Sequence, residues 1–234
     1  IICEILIDMS IKNIIAICSA KGGVGKSTIT AAIAISISKQ YQVGILDADV
    51  YGPNQHILFD IKDKPQFITK NDDKYIKPLI SKNIEIMSMG LMTESDEAVA
   101  WRGPMLSSAV RQLSNSTKWS NLDFLFIDMP PGTGDTYLTI LKELNLSNVI
   151  LITTPNKLSH ADIKKTINLV NKFNVPIMGY IENNIFNQDK DTSSEKLSIN
   201  KLGKFNFSEK MLNFDLDNDI EDANLISKKI IAHV

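Results

Sequence analysis

The chain has 234 residues, 44% of them hydrophobic, which suffices for one sizeable core and falls in the length range of a single α/β domain. A net charge of −2 excludes a general electrostatic attraction to nucleic acid or anionic membrane. With only Cys3 and Cys18, no disulfide framework is supported, and a reducing, cytoplasmic setting is expected.

Residues 1–12 read as an extension before the first strand. They are apolar but short, lack a basic leader and contain Glu4 and Asp8, so neither a signal peptide nor a spanning helix is expected. Ile14 to Cys18 is a β-rich apolar run, and Ser27 to Lys39 alternates small and apolar residues without a breaker, which predicts a strand followed by a helix. Between them lies Ala20-Lys21-Gly22-Gly23-Val24-Gly25-Lys26-Ser27-Thr28, close to G-x-x-x-x-G-K-[ST] but with alanine first and a second lysine, Lys21, inside the loop. Gly22, Gly23 and Gly25 let successive backbone N–H groups turn inward around an anion, since they reach dihedrals that a Cβ forbids. In that frame Lys26 pairs with the β- and γ-phosphates of ATP, Ser27 binds Mg²⁺, and Val24 and Thr28 complete the cradle. The positive end of the following helix favours a triphosphate. A glycine-rich turn without chemistry is the alternative, which the strand–loop–helix frame disfavours.

Val43 to Leu46 predicts a second strand, ending in Asp47-Ala48-Asp49. Asp47 is expected to face the Mg²⁺ sphere near Ser27, and Asp49 the γ-phosphate and the attacking water. A solvated acidic turn is the alternative. Asp60 to Lys82, rich in Lys and Asp with two prolines, reads as a loop. Further strands are expected at Ile84 to Met87, Phe124 to Ile127, Val149 to Ile152 and Pro176 to Ile181. Helices are expected at Pro104 to Lys118 and, behind a serine cap, at Ser159 to Lys172. Asp128, at the tip of the Phe124 run, is the expected second Mg²⁺ support, through water. In the Pro130-Pro131-Gly132 exit, Gly132 is set to offer its N–H to the γ-phosphate; a purely structural turn is the alternative. Asn187 to Asn200 reads as a polar loop. Strand–helix alternation with near-continuous apolar strands predicts a mostly parallel sheet with helices on both faces, one domain over 1–234, and a ligand at the carboxyl ends of the strands.

Four blocks carry a resemblance: Lys21 to Ser27, Asp47-Ala48-Asp49-Val50-Tyr51-Gly52-Pro53, Trp101-Arg102-Gly103-Pro104-Met105, and Asp128 to Asp135. Together they resemble the Mrp/ApbC group of deviant P-loop ATPases, relatives of the MinD/ParA proteins and the nitrogenase iron protein, from about Asn13 to Asn183. The resemblance implies a homodimeric, slowly hydrolysing ATPase in which Lys21 crosses to the partner's nucleotide, so that Lys21, Lys26 and Asp49 are the catalytic set. It also implies that Asn183, in Glu182-Asn183-Asn184, recognises adenine. The group is associated with iron–sulfur cluster carriage to apo acceptor proteins, and most members hold the cluster with a Cys-x-x-Cys pair after that strand. This chain has no cysteine after Cys18, so the usual cluster ligands are absent from it. Cys18 reads as a small buried hydrophobe, His56, His160 and His233 as core or surface residues, and Asp215 stands where the group has a proline. The alternative is a MinD/ParA-type positioning ATPase that binds membrane or DNA. Its tail, Asn224 to Val234, is short and weakly basic here, and the chain carries no nucleic-acid or membrane signal.

Overall fold

A computed structural model describes residues 11–70, 73–92, 103–185, 197–206, 208–213, 215–216 and 220–234. In chain order the elements are β1 (Asn13–Ser19), α1 (Lys26–Ser38), β2 (Val43–Asp47), α2 (Gln55–Leu58), β3 (Gln66–Lys70), β4 (Asp73–Lys77), β5 (Leu79–Ser81) and β6 (Ile84–Ser88). A 3₁₀ turn (Met89–Leu91) follows, then α3 (Gly103–Ser116), β7 (Phe124–Asp128), α4 (Asp135–Glu143), β8 (Asn148–Thr153) and α5 (Lys157–Lys172). The last elements are β9 (Ile177–Asn184), β10 (Lys201–Asn206), α6 (Glu209–Leu212) and α7 (Glu221–Ile231).

Eight strands form one sheet in the order β10-β9-β8-β1-β7-β2-β6-β5. All neighbours are parallel except β5, which runs antiparallel on the edge beside β6. Alternation along β1 shows why the strands read as unbroken apolar runs: Ile14, Ala16 and Cys18 enter one core layer while Ile15 and Ile17 enter the other. The first layer takes up residues of α3, α4 and α5, the second residues of α1 and α7. Fully buried side chains such as Ile15, Ile17 and Ile33 each contribute about 1.5–3 kcal/mol of burial free energy.

Two expectations need correction. Residues 60–82 are not all loop: β3 and β4 pair as an antiparallel hairpin from Gln66↔Lys77 to Lys70↔Asp73, and β5 joins the main sheet. The hairpin lies off that sheet, burying Ile76 while leaving Phe67 exposed, so its sequence shows little of the apolar alternation of a half-buried strand. α5 begins at Lys157, with Asn156 as its cap accepting from the Ser159 amide at 2.8 Å; the Ser159 hydroxyl pairs instead with Thr154 Oγ1. The tail from Asn224 forms most of α7, and Ile226 and Ile230 are buried in the second core layer, so its apolar stripe is committed to the fold.

His160 is buried edge-on to Tyr180, His56 is half-buried and His233 exposed. Among the described residues no helix is long and apolar enough to cross a membrane. Trp101, Arg102, Cys3 and residues 187–196 of the expected polar loop lie outside the described residues.

Candidate nucleotide and magnesium site

Parallel register brings the site together. Asp47 at the end of β2 stands level with Asp128 at the end of β7 and Ser88 at the end of β6, while Asp128 is level with Ile17 of β1. The loop that leaves β1 therefore passes over a row of polar strand ends at the carboxyl edge.

Gly23 and Gly25 hold φ of +76° and +83°, a region open to glycine at little cost. Gly25 is also the N-cap of α1 and supplies no side-chain cap, which leaves first-turn N–H groups for an anion. Behind the loop, Asn183 Nδ2 donates to Val24 O at 2.9 Å, and a Cβ at Gly25 would stand 2.3 Å from that nitrogen. Asn183, expected to recognise adenine, is buried behind the loop with one amide hydrogen committed to Val24 O.

Lys26 is 6% exposed and bonds through Nζ to Asp128 Oδ1, with Asp49 Oδ2 at 3.9 Å. Burial opposes its charge, but Asp128, and behind it Asp49 and Asp47, outweigh burial and raise its pKa above the ordinary lysine value. Asp128 Oδ2 accepts from Gln55 Nε2 at 2.7 Å, and the same nitrogen donates to Ser27 O at 3.0 Å. Gln55 is fully buried, and its Oε1 has no hydrogen-bond partner among the described residues.

Asp47 and Asp49 differ in their surroundings. Asp47 is fully buried and accepts four bonds: Oδ1 from the Asp49 amide, Oδ2 from the amides of Asn54 and Gln55 and from Ser88 Oγ. Burial, then the charge of Asp128, pushes its carboxyl up to about 7. These four bonds shape the loop between β2 and α2. Asp49 Oδ1 accepts from the Tyr51 and Gly52 amides at 3.3 and 3.2 Å, leaving Oδ2 toward Lys26. Its pKa is raised by burial, which Lys26 only partly offsets.

Gly132 has φ of +80°, and Pro131 beside it lies 3.9 Å from where a Gly22 Cβ would stand, so the exit of β7 lies against the phosphate loop. Lys21 points along the surface to Asp162 of α5, Nζ to Oδ2 at 2.7 Å. Ser27 and Thr28 are half-buried in the first turn of α1. No group of three or more His, Cys, Asp or Glu among the described residues is arranged to ligate a metal directly. Cys18 is buried, and burial pushes its thiol up to about 12, so it supplies no thiolate. Asp162, Gln55 and Ser88 join the site from distant positions and carry no motif by which the sequence could have announced them.

The family model described as NUBPL iron-transfer P-loop NTPase, of ParA type, matches residues 10–220. The chain belongs to this family. Among its relatives, an iron-sulfur cluster carrier protein of Rickettsia conorii is 50% identical over 175 residues, covering 74% of this chain and 54% of the relative. The Arabidopsis thaliana protein described as iron-sulfur protein required for NADH dehydrogenase, mitochondrial, is 41% identical over 74% of this chain and 55% of its own length. The chain thus spans about half the length of these relatives. A nucleotide-binding protein from Archaeoglobus fulgidus, solved with ADP, superposes with a TM-score of 0.70 at 26% identity over 94% of this chain and 88% of that one. The cell division ATPase MinD of Pyrococcus furiosus superposes at 0.72 over 95% and 99% of the two chains; at 18% identity this likeness speaks for the fold alone.

Proposed function

We propose that this chain binds ATP in the loop 20–28 and hydrolyses it slowly as one half of a homodimer that serves iron–sulfur cluster transfer. The observation that carries the reading is a buried lysine at the mouth of a glycine loop, Lys26, held by Asp128 with Asp49 beside it. A triphosphate offers Lys26 more negative charge than one carboxylate, and the open N–H groups of α1 receive the same anion. Ser27 and Asp128 are the residues that hold Mg²⁺, which when bound neutralises charge on the β- and γ-phosphates. Asp49, with one oxygen fixed by backbone amides and the other facing the cleft, orients the attacking water and accepts its proton. Gly132 offers its N–H to the γ-phosphate from the loop that lies against Gly22.

Lys21 is the residue that crosses the dimer interface. Its pair with Asp162 is solvent-exposed, and such pairs hold by about 0–1 kcal/mol, so it is readily given up. A charge delivered in trans is worth roughly 10³–10⁵ in rate, which makes the monomer a poor ATPase.

The cluster is cargo. Among the described residues only Cys18 carries a thiol, and its burial bars it from ligating. The reading therefore assigns this chain the nucleotide-driven part of the process and assigns no cluster ligand to it.

Single-turnover hydrolysis measured against protein concentration tests the reading. The rate is expected to rise with concentration and to lose that dependence in Lys21→Ala, with ATP still bound; a rate independent of concentration contradicts the dimeric mechanism. Anaerobic reconstitution with iron and sulfide tests the cargo: cluster absorbance with transfer to an apo acceptor would require ligands beyond those described.

A further inference from the structure

Gln55 is a fully buried polar side chain of the site, and no motif includes it. It is fully buried, and its amide head is fixed by two oxygens, Ser27 O at 3.0 Å and Asp128 Oδ2 at 2.7 Å. Both are acceptors, so a flipped amide would set oxygen against oxygen, and the orientation is chemically decided. Each amide hydrogen has a use. Oε1, on the same planar head, has no partner among the described residues, and an unmet buried carbonyl is destabilising.

Such an atom points to a donor that arrives with a ligand. Nε2 of the same amide head meets Ser27 O and Asp128 Oδ2, of the two residues assigned to Mg²⁺. Mg²⁺ keeps several waters in protein sites, and each coordinated water needs an acceptor for its protons. Lys26 occupies Asp128 Oδ1 in the nucleotide-free state and frees it on turning to phosphate; Oδ2 stays covered by Gln55. Asp47 Oδ2 cannot serve, because it already accepts from three donors. A neutral carbonyl also adds no further negative charge beside Asp47, Asp49 and Asp128.

We propose that Gln55 is a positioning residue for the magnesium site, turning Asp128 so that Oδ1 alone faces the metal and accepting through its own Oε1 from a magnesium-bound water. The proposal rests on the ATPase reading above. It concerns metal affinity, so hydrolysis need not be measured to test it.

The experiment uses the full chain with ADP and Mn²⁺, whose free hydrated ion is followed by its paramagnetic resonance signal. Outer-shell partners of metal sites are worth roughly 10–100-fold in affinity. Gln55→Met, which keeps length but offers no amide, should weaken Mn²⁺ uptake by about tenfold or more while leaving ADP affinity in chelator unchanged. Gln55→Glu restores an acceptor but faces two oxygens that repel it. It should bind Mn²⁺ more tightly than Gln55→Met and yet melt at a lower temperature than wild type. A purely structural role would order the variants by melting temperature, with Mn²⁺ affinity equal throughout, and that result overturns the proposal. Should Gln55→Met not fold, Gln55→Glu is set against wild type: Mn²⁺ uptake at least as tight despite lower thermal stability supports the proposal, and weaker uptake overturns it. If wild type takes up no Mn²⁺ with ADP, the ATPase reading falls and this inference with it; equal affinities removes this inference alone.

Discussion

The carboxylate of Asp128 is the resting partner of the Lys26 ammonium. Both side chains are buried, so the pair cannot be understood as surface decoration. A buried lysine without a counterion would shed its proton; Asp128 keeps it charged and next to the phosphate loop until an anion takes it over. Asp49 stands 3.9 Å from the same ammonium, so the pair leaves a second carboxylate beside it, which favours a divalent cation.

Removing one partner of this pair leaves the other stranded. Lys26→Ala should destabilise the nucleotide-free protein by about 3–5 kcal/mol, and Lys26→Ala/Asp128→Asn should recover part of that loss. Urea unfolding of the two single variants and the double variant measures the coupling; additive losses would contradict the buried pair.

Glycine substitutions separate strain from space. At Gly25 an added Cβ meets Asn183 Nδ2 at 2.3 Å on a backbone with φ of +83°, so Gly25→Ala should cost on the order of 1–3 kcal/mol and abolish ATP binding. Gly52→Ala meets nothing within 4 Å and should fall within about 0.5 kcal/mol of wild type. Thermal melts with and without MgATP compare them, and a Gly25→Ala protein that still shifts its melting temperature with ATP would refute the role of this geometry.

Asp49→Asn should leave ATP affinity within a few-fold of wild type and lower single-turnover hydrolysis by roughly 10²–10⁴, the range of a lost general base. Rapid quench with radiolabelled ATP reads both. Unchanged hydrolysis would remove Asp49 from the chemistry.

Stability should also respond to pH through Asp47. Its folded carboxyl, pushed up to about 7 by burial and Asp128, lies above the 3.8 of an ordinary aspartate. The folded chain therefore keeps a proton that the unfolded chain gives up. This contribution is fully present below the unfolded value and is lost as pH rises through about 7. Metal-free, nucleotide-free protein should lose on the order of 2–4 kcal/mol from this group between acid and neutral pH. Asp47→Asn, which cannot ionise, should show a flatter stability curve over that interval in calorimetric melts. Identical slopes in the two proteins would refute the raised carboxyl.

The central strands and the phosphate loop were legible in the sequence because local rules fix them. Ile14 to Cys18 is apolar throughout since β1 is covered on both faces, and Gly23 and Gly25 occupy dihedrals that favour glycine. The positions of Asp49 and Asp128 beside Lys26 follow from strand ends and parallel register. Asp47 and Asn183 show the limit. Nothing in Asp47-Ala48-Asp49 tells which carboxylate meets Ser88 from β6, and nothing in Glu182-Asn183-Asn184 tells that the amide reaches Val24. Gln55 was invisible for the same reason, since its partners Ser27 and Asp128 are brought to it only by the closed sheet.

Titration calorimetry of the pure chain with ATP and Mg²⁺ tests the central claim most directly. One nucleotide should bind per chain with measurable heat, and Lys26→Ala should lose that heat while remaining folded by circular dichroism. A wild-type protein that shows no heat with any adenine nucleotide in the presence of Mg²⁺ would contradict the account.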